Sequence, residues 1–418
     1  MTAAPTAGAL NGLRVLDLSR VVAGPLCASL LGDLGADVIK VEGPRNPDES
    51  RSWFPPDVEQ ISVYFATVNR SKRAITVDLA SEAGRDIIRN LVRVSDVVIE
   101  NFTTGTLARM GLDYESLSQI NPRIVLCSIT GFGQSGPYRH LPGYDFVAQA
   151  MSGFVSQNGA PGEEATKAPI ALADMLTGLH AMISVLAALQ SRAVTGVGQH
   201  CDLSLLDSMT FSLLNLGTTF LNTGATPPRY GNQHQTLVPY QPFSTADQDV
   251  VIAVGNNAQF GQLCTLLGIP ELTTDPRYAE VTARILNRDS LVPIVQRVVL
   301  GWNAADLIRE LRAHRVPCGP VNTVAQLFDD PHVRARGAVQ TVAHPTAGAL
   351  HLLAAPFGLL GTPTEVSHAP PLFSEHTDEV LTELGYSAER RAVLREQGVV
   401  APPTPARFPA PPSSSTDV

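Results

Sequence analysis

The chain has 418 residues, of which 44% are hydrophobic and 17% are charged, a balance typical of a folded protein large enough for two domains. Its formal net charge of -9 argues against a nucleic-acid partner, because binding phosphates requires a concentrated basic face.

The N-terminus, from Met1 to Asn11, has no basic stretch ahead of an apolar core, so it does not resemble a signal peptide. The most apolar stretch, Ala181–Leu189, is too short to span a bilayer. The five cysteines lie far apart and form no Cys-x-x-Cys pair, as expected for buried thiols in a reducing compartment. We therefore expect a cytoplasmic protein with no membrane partner, no metal site and no permanently bound cofactor.

Apolar strand-like runs alternate with helical patterns through the first 130 residues, which predicts a mostly parallel sheet covered by helices on both faces. The predicted strands are Leu13–Leu18, Val38–Glu42, Ile75–Leu79, Val97–Asn101 and Ile124–Ile129, and the predicted helices between them are Pro25–Leu34 and Ser81–Val94. Lys72 and Arg73, just before the third strand, are expected on a solvated face. The ligand of such a sheet is expected beyond the carboxyl ends of its strands.

The next elements are a strand-like run before Asp174, a helix from Asp174 to Gln190 and a second buried helix over Leu203–Leu221. A polar, Gly- and Pro-containing stretch then introduces a smaller domain. Its predicted elements are the strands Leu237–Phe243 and Val250–Val254 and the helices Phe260–Leu267 and Ala304–Ala313. A last helix is predicted over Asp378–Leu384.

These patterns predict five segments of the chain. They are a flexible N-terminus (1–9), the first part of a large α/β domain (10–222), a small α+β domain (223–325), a linker that returns to the large domain (326–400) and a disordered tail (401–418).

Gly131-Phe-Gly-Gln-Ser-Gly136 follows a predicted strand and has the spacing of a dinucleotide fingerprint. That fingerprint requires a helix after its last glycine, so that the helix N-terminus can receive the pyrophosphate. Pro137, Pro142 and Gly143 follow instead, which indicates a turn-rich loop rather than a dehydrogenase site.

Asp174 is the leading candidate for a catalytic residue. It stands at the predicted start of a long apolar helix, and no Lys or Arg occurs from Ala168 to Leu189. An aspartate at this position either caps the helix, by accepting hydrogen bonds from its first N–H groups, or faces a substrate. The segment alone leaves both roles open.

A series of phrases resembles the class III coenzyme A transferases, also called the CaiB/BaiF family. In chain order these are Leu13-Arg-Val-Leu-Asp-Leu-Ser-Arg-Val-Val-Ala-Gly-Pro25, Leu34-Gly-Ala-Asp-Val-Ile-Lys-Val-Glu42, Asp96-Val-Val-Ile-Glu-Asn-Phe102, Gly143-Tyr-Asp145 and Ala173-Asp-Met-Leu-Thr-Gly178. The resemblance implies a Rossmann-like large domain, a smaller α+β domain and an interlocked homodimer. It also implies transfer of coenzyme A from an acyl-CoA to a small carboxylic acid, with both as substrates and Asp174 as the nucleophile.

The resemblance also implies contacts with coenzyme A, carried over onto the positions that match. These positions are Val22, Ala23, Leu79, Asn101, Phe102, Arg109, Tyr144 and Asp145. Arg109 suits a phosphate, although a surface arginine is an alternative. Asn101 could equally be a turn residue, and Phe102 a core ring. Arg20 is a further candidate for binding an acidic substrate.

Two other functions remain open. Acyl-CoA racemases and epimerases of this fold carry Gly-His-Asp where this chain has Gly143-Tyr144-Asp145, so racemase chemistry here would need another base such as His180 or Tyr144. A non-catalytic CoA-binding protein is the third possibility. The small domain lacks the glycine-rich run of some relatives, and the sequence does not identify the donor and acceptor acids.

Overall fold

The computed structural model describes residues 8–403, which form two compact units. The larger unit contains residues 8–154, 167–222 and 336–403, and the smaller unit contains residues 155–166 and 223–335. Most of the predicted flexible N-terminus and tail therefore lies outside the described residues. Residues 155–166, which the sequence pattern places in the large domain, belong to the smaller unit.

Strands are numbered here in chain order. They are β1 (Arg14–Asp17), β2 (Asp37–Glu42), β3 (Arg73–Thr76), β4 (Val97–Glu100), β5 (Val125–Thr130), β6 (His200–Ser204), β7 (Tyr240–Ser244), β8 (Asp249–Ala253), β9 (Cys318–Pro320), β10 (Val339–His344) and β11 (Gly348–Leu353). A two-residue pair, Asp57–Val58 with Ile61–Ser62, is left unnumbered.

Helices are numbered in the same way. They are α1 (Ala23–Asp33), α2 (Val63–Val68), α3 (Glu82–Arg93), α4 (Thr106–Met110), α5 (Tyr114–Ile120), α6 (Asp145–Met151), α7 (Phe154–Gln157), α8 (Leu172–Thr195), α9 (Leu205–Ser212), α10 (Leu214–Thr223), α11 (Asn257–Leu266), α12 (Val281–Leu286), α13 (Arg288–Val299), α14 (Ala304–Ala313), α15 (Val324–Asp329), α16 (Pro331–Ala335), α17 (Thr377–Glu383) and α18 (Ala388–Glu396). Short 3-10 turns cover Glu49–Ser52 and Pro270–Thr273.

The larger unit is built on one parallel sheet with strand order β3-β2-β1-β4-β5-β6. Its central strands are apolar and buried on both faces, as in β4, because helices cover the sheet on each side. One apolar core contains residues of α1 and α8, and the other contains residues of α3 and α5. This is the doubly wound Rossmann-type order, and it confirms the predicted α/β fold class.

The segment Leu203–Leu221 is not one buried helix. Its start belongs to β6, which pairs with β5, and two helices follow. The first, α9, buries Leu205 and Met209, whereas α10 has no buried residue. The prediction failed because the apolar side chains of α10 are mostly exposed, although their number is typical of a buried helix.

Lys72 and Arg73 were expected on a solvated face, and that expectation is wrong. Lys72 is completely buried, and Arg73 keeps only 7% of its surface exposed. Lys72 Nζ donates to Asp17 Oδ2 at 2.8 Å, while Arg73 pairs with Asp37 and Glu383. Burial is possible because each cation has carboxylate partners.

The predicted linker also contains regular structure. Strands β10 and β11 pair antiparallel within residues 339–353, and their inward side chains Leu350 and Leu352 pack with Ile61 and Ala66. Helix α17 follows, with Val380 and Leu381 in the core beside the sheet. The alternation of buried and exposed side chains in β10 and β11 is short, and at least half of these side chains are exposed. The sequence of the two strands therefore resembles that of a loop.

The smaller unit is an α+β arrangement around its own core. Its antiparallel sheet has the order β9-β8-β7. Helices α11, α13 and α14 bury residues such as Phe260, Leu291 and Leu311 in the core of this unit.

Helix α8 is 24 residues long and apolar enough, by length and composition, to cross a membrane. In this fold it packs along α1, with Ala173, Ala181 and Val185 fully buried in the core of the larger unit. The apolarity of α8 is therefore explained by its place in the core.

Candidate active site

A cavity of about 310 Å³ opens in the larger unit at the carboxyl ends of β1, β4 and β5. Strand β1 lies between β2 and β4. The chain continues from β1 to β2 and β3 toward one edge of the sheet, and then places β4, β5 and β6 toward the other edge. Ligands of doubly wound sheets bind at the point where the strand order reverses in this way. The walls are formed by residues 20–23, 101–104, 129–131, 139 and 141–144, together with Glu49, Asp174 and Leu205.

Asp174 lies in this cavity wall, in the first turn of α8. Within residues 8–403, its carboxylate accepts no hydrogen bond and makes no ion pair. Burial first, and the nearby Asp145 carboxylate second, raise the pKa of Asp174 to about 7. Asp174 is not the N-cap of α8, since that position is Ala171 and no side chain there caps the helix. The expected strand before the helix is absent as well.

The helix start is held instead by Asp145, which begins α6. Its Oδ1 atom accepts the N–H groups of Ala173 at 2.7 Å and Asp174 at 3.3 Å. Its Oδ2 atom accepts a hydrogen bond from Gln149 Nε2 at 2.7 Å, and the Oε1 atom of this buried glutamine accepts the N–H of Ala168 at 2.9 Å. Asp145 therefore satisfies N–H groups that open α8 and leaves the Asp174 carboxylate free.

The loop after β1 forms a second wall, and buried charges fix its shape. Lys40 Nζ donates to the Ser19 carbonyl at 3.1 Å and to Asp48 Oδ2 at 2.8 Å. Asp48 Oδ1 in turn accepts the N–H of Val21 at 3.2 Å. Val21 has a φ of 71°, which is strained for a β-branched residue, so this network holds an unfavourable backbone shape at the cavity.

Helix α1 starts directly behind this loop. A Cβ atom on Gly24 would lie 2.3 Å from Ser19 Oγ, so only glycine allows the loop and the helix to approach this closely. Among residues 8–403, no side chain caps the N-terminus of α1, and Val22 and Ala23 at that end line the cavity. In the first turn of α1, Pro25 has no N–H and Leu26 donates to the Val22 carbonyl at 2.8 Å, so the N–H groups of Ala23 and Gly24 are the ones available to an anionic group.

Asn101 and Phe102 follow β4 on the opposite side of the loop. Asn101 Oδ1 accepts the N–H of Arg20 at 2.9 Å, and Asn101 Nδ2 donates to the Arg20 carbonyl at 2.8 Å. The N–H of Phe102 donates to Glu100 Oε2 at 2.9 Å. Burial raises the pKa of Glu100 to about 7.

Of the nucleophile and the coenzyme A contacts named from the sequence, six line the cavity: Val22, Ala23, Asn101, Phe102, Tyr144 and Asp174. Arg20, the candidate for binding an acidic substrate, lines it as well. Three of the named contacts do not. Leu79 packs against the core beside α3, Arg109 is exposed and donates to Thr106 Oγ1 at 2.9 Å, and Asp145 is occupied in capping α8.

Several lining residues were not predicted from the sequence. Thr104 and Arg139 lie in the loops after β4 and β5, where the fold class could have suggested them. Glu49 and Leu205 lie in a short turn and in a helix whose place in the fold was not predicted.

Comparisons with known proteins agree with one another. The family model of CoA-transferase family III matches residues 10–377. Succinate–glutarate CoA-transferase of Agrobacterium fabrum is 42% identical over 381 residues, which cover 90% of this chain and 95% of that protein. Succinyl-CoA:glutarate CoA-transferase of Homo sapiens is 37% identical over 392 residues, which cover 94% of this chain and 90% of that protein. The crystal structure of a CAIB/BAIF family protein from Brucella suis has a TM-score of 0.80 and 44% identity, covering 90% of this chain and 100% of that one.

Proposed function

Because the chain belongs to CoA-transferase family III and is thus a CoA-transferase, we propose that it passes coenzyme A from an acyl-CoA to a small carboxylic acid through Asp174. The observation that carries this proposal is the free carboxylate of Asp174 in the wall of the cavity. A carboxylate that structural hydrogen bonds do not occupy remains available as a nucleophile.

The reaction runs in two matched halves. A carboxylate oxygen of Asp174 attacks the thioester carbonyl, the C–S bond breaks, and a mixed anhydride forms as CoA thiolate leaves. The thiolate then attacks the aspartyl carbonyl of the anhydride, which releases the donor acid and leaves an aspartyl-CoA thioester. The acceptor carboxylate attacks that thioester to give a second anhydride. Attack of the thiolate on the acceptor carbonyl then yields the new acyl-CoA and restores Asp174.

Each attack places negative charge on a carbonyl oxygen, which requires hydrogen-bond donors close to Asp174. The free N–H groups at the start of α1, beside Val22 and Ala23, are the donors that we assign to this role. Their positions are set by the buried network below the loop, so little rearrangement is needed when the charge develops.

Coenzyme A is assigned to the loops that surround this point. Val22, Ala23, Asn101, Phe102 and Tyr144 contact the part nearest the thioester, because they share the cavity with Asp174. Leu79 and Arg109 lie outside the cavity, so they are assigned to more distant parts of coenzyme A. The exposed guanidinium of Arg109 suits a phosphate. Asp145 acts on Asp174 instead of on coenzyme A.

An interlocked homodimer is also part of the proposal. In the part of the chain that the structure describes, helix α10 has no buried residue, and its apolar side chains Leu214 and Leu221 are 62% and 82% exposed. Large apolar side chains exposed together are typical of surfaces that a partner covers.

The proposal is tested by incubating the protein with succinyl-CoA and a mixture of carboxylic acids and detecting CoA thioesters by mass spectrometry. We expect a new thioester of at least one acid. Racemase chemistry would instead give incorporation of solvent deuterium at the α-carbon of a branched acyl-CoA without a new thioester. Of the two bases considered for that reaction, His180 is hydrogen-bonded to Ser208 and does not line the cavity, whereas Tyr144 lines it. Deuterium exchange without transfer would contradict the proposal.

The pH dependence of kcat/KM follows from the raised pKa of Asp174. Because only the carboxylate is nucleophilic, kcat/KM should rise with pH and level off above the pKa of about 7. The Asp145→Asn variant keeps an oxygen that can accept the N–H groups of α8 but removes the neighbouring charge. The acidic limb should therefore move to lower pH. A profile of kcat/KM against pH for both proteins tests this, and a limb that stays in place in the variant would contradict the assigned role of Asp145.

A further inference from the structure

Within residues 8–403, Arg20 has no ion-pair partner, which separates it from the other partly or fully buried arginines of the larger unit. In the described part of the larger unit, every other arginine that is at least partly buried forms an ion pair. These are Arg14, Arg51, Arg70, Arg73, Arg85, Arg89, Arg192, Arg391 and Arg395. As a residue, Arg20 is partly buried as well, but across residues 8–403 no carboxylate pairs with it. A cation that lines a cavity without a counter-charge is available to an anion from outside the chain.

The backbone of Arg20 is fixed from both sides. Asn101 binds its N–H and its carbonyl at 2.9 Å and 2.8 Å, and Asp48 holds the N–H of the next residue, Val21, at 3.2 Å. The strained φ of Val21 makes this part of the loop a defined shape rather than an adaptable one. The chain therefore presents the guanidinium from a rigid support, as a specific recognition site requires.

Arg20 and Asp174 line the same cavity of about 310 Å³, so an anion bound by Arg20 lies close to the reacting carbonyl group. In coenzyme A, the pantetheine arm separates the thioester from the phosphates. A second carboxylate on a short acyl chain, by contrast, is near the thioester carbon. Glu49 shares the cavity, but it is exposed and makes no ion pair with Arg20 in residues 8–403, so it does not neutralise the guanidinium.

We propose that Arg20 binds the second carboxylate of a short dicarboxylic acid and so makes dicarboxylates the preferred substrates. This rests on the proposed CoA transfer through Asp174. The planar fork of the guanidinium matches a carboxylate through two parallel hydrogen bonds. A monocarboxylate of the same length leaves Arg20 unpaired.

The test compares Arg20→Gln with the wild-type protein, using glutarate and valerate as acceptors of equal chain length. Acetyl-CoA serves as the donor, because its acyl group carries no second carboxylate. We expect kcat/KM for glutarate to fall about 10- to 100-fold, the loss expected for one charge-assisted contact, and kcat/KM for valerate to stay within about threefold. The matched control is Arg123→Gln, which should change neither value. Arg123 is exposed and lies just before the amino end of β5, whereas the cavity lies at the carboxyl ends of the strands.

Several outcomes would overturn the inference while leaving CoA transfer intact. An equal loss for both acceptors, or a raised KM for acetyl-CoA with valerate as acceptor, would assign Arg20 to coenzyme A. Wild-type preference for valerate over glutarate would exclude the dicarboxylate site. Absence of transfer to any acid by the wild-type protein would instead remove the proposed function itself. A melting temperature shared by Arg20→Gln and wild type shows that the comparison is between folded proteins.

Discussion

Replacement of Asp174 by asparagine should lower kcat for CoA transfer by at least about 1,000-fold, since the amide has nearly the same shape but is not a nucleophile. The remaining loss of succinyl-CoA should be hydrolysis by water, whose rate does not depend on the acceptor acid. Steady-state transfer from succinyl-CoA, followed by thioester detection, measures the loss. The matched control is Asp207→Asn, which alters an exposed first-turn aspartate of α9 that does not line the cavity. Transfer by Asp174→Asn at more than a tenth of the wild-type rate would contradict the assignment.

The same substitution should stabilise the fold in a pH-dependent way. The folded-state pKa of Asp174 is raised from 3.8 to about 7, so the folded protein holds this proton more tightly than the unfolded chain does. The stability that this tighter proton binding contributes to the fold is fully present below pH 3.8 and is lost as the pH rises through about 7. Asp174→Asn removes the cost of the buried charge, so its melting temperature should exceed that of wild type above pH 7 and converge with it in acid. Stability given up for a charged nucleophile is typical of catalytic sites.

The second large effect is expected at the buried pair of Lys72 and Asp17, whose side chains are both fully buried. Lys72 Nζ donates to Asp17, to the Pro25 carbonyl at 2.9 Å and to Asn69 Oδ1 at 2.9 Å, so all three of its N–H groups are satisfied. Asp17→Asn leaves a buried ammonium without its counter-charge, and it should reduce the free energy of unfolding by about 3–5 kcal/mol.

Denaturant unfolding followed by circular dichroism measures this loss. Glu82→Gln, which removes a carboxylate from the exposed pair with Arg85, should shift the midpoint far less. If Asp17→Asn unfolds at the same denaturant concentration as Glu82→Gln, the buried pair does not support the fold.

The sheet of the larger unit could be predicted because its strands are short apolar runs separated by helices, and burial on both faces leaves that mark in sequence. Strands β1, β2, β4 and β5 overlap the predicted ranges, and β3 overlaps its predicted range at Ile75 and Thr76 only. Strand β6 was missed because it is only partly buried at the edge of the sheet and runs directly into α9. Edge strands carry a weaker apolar pattern than central ones.

The chemistry of individual side chains was harder to predict, because it depends on partners that are far apart in the chain. Asp174 could be chosen because it stands at the start of an apolar helix. The residue that caps this helix, Asp145, could not, because it lies 28 positions from Ala173, whose N–H it accepts. The ion pair that buries Lys72 joins residues 55 positions apart. A sequence shows where a charge is, whereas only the fold shows whether that charge is paired.

The central claim, that Asp174 forms a covalent thioester with coenzyme A, is tested most directly by mass spectrometry of the protein after mixing with succinyl-CoA alone. We expect an adduct with the mass of coenzyme A less one water, located on the peptide that contains Asp174 and released by hydroxylamine. It should be absent from Asp174→Asn and should disappear when an acceptor acid is added. Rapid transfer without any adduct on Asp174, or an adduct on another residue, would contradict the mechanism.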